Sequence, residues 1–68
     1  MSKHIQITAQ GGTTFSVSLI NDDESEFLGR MEYGSIDSGG QYEQDNDEII
    51  EAAREQFALD STIPAIVL

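Results

Sequence analysis

Glu48, Glu51 and Glu55 recur at steps of three and four residues, the spacing that lines side chains along one side of an α-helix. Asp47 stands beside them and Asp45 just ahead, so five carboxylates crowd a short stretch whose only cation is Arg54. Seven helical residues rise ~10.5 Å, so Glu48 to Glu55 would form a compact row of fixed anions. Such a row binds cations. It does no acid–base chemistry unless a pocket desolvates part of it, and a chain of 68 residues has little interior with which to build one. A second acidic run, Asp22, Asp23, Glu24 and Glu26, lies upstream, and Glu43 precedes the helical stretch.

Other chemistries find few residues to use. His4 is the only histidine and has no evident carboxylate or nucleophile partner near it in the chain. No serine sits in a nucleophile-elbow sequence, and there is no cysteine, so thiol catalysis, disulfides and thiolate metal sites are all excluded. The acidic runs hold oxygen donors that suit calcium or magnesium, yet the EF-hand spacing fails. Counting from Asp45, the sixth position is Ile50 where glycine is needed and the twelfth is Gln56 where glutamate is needed. The expectation is a protein that is not an enzyme and has neither metal nor cofactor.

The charge balance points outward. Thirteen acids face two arginines and one lysine, a formal net charge of −10. Direct binding to nucleic acid or to an anionic membrane is disfavoured, and Lys3, Arg30 and Arg54 are too few to track phosphates. All thirteen acids lie between Asp22 and Asp60. Like charges three or four residues apart on a helix cost a few tenths of a kcal/mol each, in total ~1–2 kcal/mol for this block. Cationic surfaces are therefore the expected partners. The opening "MSKHIQIT" lacks the apolar run of a signal peptide and no segment has the ~18 apolar residues of a membrane span, which predicts a soluble, unprocessed, cytoplasmic chain.

The elements that must position these acids are legible in the hydrophobic pattern. Ile5, Ile7 and Ala9 alternate with polar residues, as do Phe15, Val17 and Leu19, and Gly11-Gly12 stands between the two runs. This pattern predicts strands over 3–9 and 13–20 joined in a tight hairpin. "FLGRMEY" predicts a third strand over 27–33 with Phe27, Met31 and Tyr33 on one side; a short helix capped by Asn21 or Asp22 is the competing reading. Asp45 with Glu48 three residues on has capping-box spacing, so a helix is expected over about 46–59, with Ile49, Ile50, Ala53 and Phe57 as its buried stripe. "TIPAIVL" reads as a last strand, at an edge or starting after Pro64. The expected fold is one α+β domain over 1–68, in the order β-β-β-α-β, with one helix on one face of a mainly antiparallel sheet.

In its charge pattern from Asp22 to Asp60 the chain resembles the small acidic DNA-mimic inhibitors of phages and other mobile elements, of the anti-CRISPR and anti-restriction type. The likeness is compositional. Those proteins share no motif to align, so no residue role is carried over. The resemblance implies stoichiometric binding in the basic groove of a nucleic-acid-binding defence complex, such as a CRISPR effector in a host bacterium. On the helix argument the partner-binding residues are Asp45, Asp47, Glu48, Glu51 and Glu55, joined by Asp22, Asp23, Glu24, Glu26 and Glu43. The alternative is a small regulatory or antitoxin-like interaction module that dimerises through the edge strand "AIVL".

Overall fold

The computed structural model describes residues 2–68. Its elements are β1 (Lys3–Gly11), β2 (Thr14–Asn21), β3 (Glu24–Glu32), α1 (Asn46–Phe57) and β4 (Ala65–Val67). They form the expected α+β fold: a four-stranded sheet in the order β3-β2-β1-β4 with the helix on one side. β1, β2 and β3 make an antiparallel meander, while β4 joins β1 in parallel. β3 and β4 thus run the same way at opposite edges, and the helix carries the chain across the sheet between them.

The hairpin forms where the glycines permit it. Gly11 and Gly12 have φ of 117° and 56°, values that L side chains rarely adopt, and they turn β1 into β2. Alternation does the rest: Ile5 and Ile7 of β1 and Phe15 and Val17 of β2 are buried, and with Met31, Ile49 and Ala53 they make the core. Ile50, Phe57, Leu59, Ile63, Ala65 and Val67 pack around it, partly buried. Pro64 precedes β4, and its carbonyl accepts the Ile5 N–H at 2.8 Å, so the missing proline donor falls just outside the ladder.

The sheet departs from the sequence expectation in β3. The strand spans Glu24–Glu32 rather than 27–33, which also disposes of a helix there, and Phe27 does not face the core with Met31. Val17 pairs with Gly29 and Ser18 with Phe27, leaving Leu28 as an extra, unpaired residue. This β-bulge shifts the side-chain alternation by one. Met31 stays buried, Leu28 leans on the core, and Phe27 turns to solvent with 60% of its surface exposed. Gly29 makes the bulge possible. Its φ is 151°, and a Cβ placed on it would lie 2.9 Å from the Phe57 ring.

The other boundaries move by one to two residues. The first hairpin strand runs on to Gly11, the second spans 14–21, and the helix ends at Phe57 rather than 59. Ala58, in the left-handed conformation, donates its N–H to the Arg54 carbonyl and stops the helix.

Candidate functional site

The acidic helix is built from its N-terminus. Asp45 is the N-cap, and its Oδ1 accepts the Glu48 N–H at 2.9 Å, satisfying one of the four N–H groups a helix start leaves open. Asp47 and Glu48 follow in the first turn, where negative charge suits the helix dipole. Because Ile49 and Ala53 are buried against the sheet, Glu51 and Glu55 are left exposed on the outward side. Asp45, Asp47, Glu48, Glu51 and Glu55 border a single open groove, which Tyr33 closes from the end of β3.

The remaining nominated acids lie elsewhere. Asp22 and Asp23 form the β2–β3 turn, and Glu24 and Glu26 pair with Asn21 and Leu19, on the sheet face that carries the helix but at its far end. Asp23 lies six residue steps along the chain from Gly29 beneath Phe57, a distance of about 20 Å. Lys3 shares a depression with Glu24 and Glu26. Glu43 sits in the loop before the helix, where its carboxylate accepts the Ser35 hydroxyl. The ten residues are therefore one helix row, one hairpin tip and one loop position, not a continuous surface.

Hydrogen bonding divides the acids further. Asp22 accepts the Ser2 N–H, Asp37 accepts those of Gly39 and Gln41, Glu43 holds Ser35, Asp45 caps the helix and Asp60 holds Thr62. These five carboxylates stabilise turns, a loop and a cap. Among the described residues, the side chains of Asp23, Glu24, Glu26, Glu32, Asp47, Glu48, Glu51 and Glu55 accept no such bond. Arg54, the one base on the helix, donates its Nη1 to the Asp60 carbonyl at 2.9 Å rather than to a helix carboxylate. At Asp60 the Thr62 backbone N–H and then its hydroxyl, with a further pull from Arg54, hold the carboxyl below its ordinary value.

No protein-family model matches the chain, and no curated protein or solved structure proves similar to it. The site must therefore be judged on its own geometry.

Tyr33, Ala52 and Gln56 line the groove outside the sequence-derived set, and of these Tyr33 alone comes from beyond the helix. It follows β3 directly, and its place beside the helix depends on how the loop to Asp45 folds back, which strand periodicity does not encode. Tyr42 has a different part. Its ring lies 5.5 Å from that of Phe15 and its hydroxyl donates to the Gly12 carbonyl at 2.9 Å, pinning the loop to the first hairpin.

The division between structural and unbonded acids is testable on stability alone. Asp45→Ala should lower the unfolding free energy by ~1 kcal/mol, the usual worth of an N-cap. Glu51→Ala should leave it equal or higher, since alanine is the better helix former and a like-charge neighbour is removed. Urea melts of the two variants beside the parent chain decide it.

Proposed function

We propose that the protein is a stoichiometric inhibitor that acts as an acidic DNA mimic, seating its helix in the nucleic-acid-binding groove of a defence nucleoprotein complex such as a CRISPR effector. One observation carries this reading. Asp47, Glu48, Glu51 and Glu55 stand exposed around one groove, and among the described residues their side chains accept no hydrogen bond, Arg54 having turned to the Asp60 carbonyl. Glu48 and Glu51 are separated by ~4.5 Å of helix rise and Glu51 and Glu55 by ~6 Å. Those steps are of the same order as the ~3.4 Å between phosphates along one DNA strand once side-chain reach is included. Arginines and lysines that grip a phosphate backbone would meet carboxylates at similar intervals and pair with them.

The test is capture from a bacterial lysate at low salt, followed by elution with duplex DNA. A mimic is displaced by DNA, and its retention falls steeply between ~50 and ~200 mM salt. Retention that ignores both overturns the proposal.

A second reading, an interaction module that dimerises through "AIVL", rests on a different observation. β4 lies at the edge of the sheet with one side unpaired, and Ile66 and Leu68 are exposed. Association of that kind would be indifferent to DNA.

A further inference from the structure

The sheet has two faces, and the helix covers only one. On the other, the pairing registers place Ser25, Ile20 and His4 in one row, Phe27, Ser18, Gln6 and Ile66 in the next, and Arg30, Ser16 and Thr8 in a third. Glu32 follows opposite Thr14. Glu32 and Arg30 cancel on this face. The other twelve acids and two bases, the whole of the −10, lie off its strand positions. The two most exposed large apolar side chains of the sheet strands, Phe27 at 60% and Ile66 at 43%, are both here, in the same row and at opposite edges.

We infer that this open face is a docking surface for a second copy of the chain, giving a weak two-fold dimer with the sheets face to face. The register makes the face self-complementary. A two-fold axis parallel to the strands and midway between β2 and β1 exchanges the edges, so Phe27 of each copy comes over Ile66 of the other, and Ser18 over Gln6. The contact is isologous and closes on itself.

Electrostatics selects this face over the alternatives. Approach through the helices would bring two acidic rows together. Approach through this face leaves the helices on the outside, roughly 30 Å apart across four layers of secondary structure, well beyond the ~10 Å screening length at 0.1 M salt. Three strands of eight or nine residues and one of three, ~4.8 Å apart, give roughly 450 Å² of footprint per copy, or about 900 Å² for the pair. That is the low end for a specific contact and suits a reversible dimer, not an obligate one.

The salt response has the opposite sign to that of the acidic helix. Residual repulsion between two copies of charge −10 opposes the dimer, so screening strengthens it, whereas screening weakens any pairing of the helix with a basic groove. Sedimentation equilibrium of the full chain from ~10 µM to ~1 mM, at ~50 and ~500 mM salt, tests this. The expected result is a mass that rises towards twice the monomer with concentration, at several-fold lower concentration in the higher salt. Phe27→Ser and Ile66→Thr, which change no charge and lie on exposed positions, should each raise the midpoint about tenfold with circular dichroism unchanged. A chain that stays monomeric throughout at high salt overturns the inference. So does a dimer that survives both substitutions together, which would belong to the β4 edge.

Discussion

With Glu48, Glu51 and Glu55 replaced by glutamine, affinity for a basic groove should fall by about 100-fold while the fold is retained at equal or slightly higher stability. Three exposed charge pairs at ~1 kcal/mol each give the loss. Stability holds because two small terms offset: Asp47 and Glu51, Glu48 and Glu51, and Glu51 and Glu55 are like-charge neighbours whose relief returns ~0.6–1.5 kcal/mol, while the Glu48 charge lost from the first turn costs ~0.3–1 kcal/mol. Binding lost with stability kept is the signature of charge held for a partner. A control separates the row from bulk charge. Asp23→Asn with Glu24→Gln and Glu26→Gln removes three charges in and beside the β2–β3 turn, off the helix row: Asp23 lies about 20 Å and Glu26 about 10 Å along the strand from Gly29 beneath Phe57. If both triple variants lose affinity equally, net charge and not the helix row carries binding; if neither does, the mimic proposal is wrong.

The helix is legible in the sequence because its signals agree with one another. Asp45 caps, the acids suit the first turn, and Ile49 and Ala53 recur at the spacing that buries one stripe. The first hairpin was equally plain, since Gly11-Gly12 allows a turn that few other pairs would. β3 departs from unbroken alternation: the bulge before Gly29 moves Phe27 from the core to the open face and Leu28 towards the helix. A glycine inside a strand pattern is the available signal for such a bulge, but periodicity alone does not say that the alternation shifts.

The candidate site was legible as composition and only partly as geometry. The spacing of Glu48, Glu51 and Glu55 placed them correctly on one side of α1. The hairpin tip and the helix row are far apart because the meander sends the β2–β3 turn to the end of the sheet opposite the helix N-terminus, and strand order is not written in charge. Nor does an acid announce whether it will cap a turn. Asp22 and Glu43 look like Asp23 and Glu24 in the chain, yet in the fold the first two are hydrogen-bonded and the second two are not. The parallel pairing of β4 with β1 also follows from the crossover and not from any local feature of "AIVL".

Gly29→Val should destabilise the chain by several kcal/mol, because two costs fall on one residue. A φ of 151° is strained for any L side chain, at ~1–3 kcal/mol, and more for a β-branched one. The new Cβ would also enter the space of the Phe57 ring, 2.9 Å from its nearest carbon, and overpacking of that kind adds ~1–3 kcal/mol. Together these come to ~2–6 kcal/mol, against a total stability of ~3–10 kcal/mol for a domain of this length. Phe57 distinguishes the two causes. Phe57→Ala in the parent chain removes packing and destabilises, whereas in the Gly29→Val background it also opens room for the valine. The second step should therefore be milder than the first by at least ~1 kcal/mol, a coupling that urea unfolding of the four chains measures. Strictly additive losses would place the whole penalty in the backbone, and a Gly29→Val chain that melts with the parent would mean that the strand runs through without the bulge.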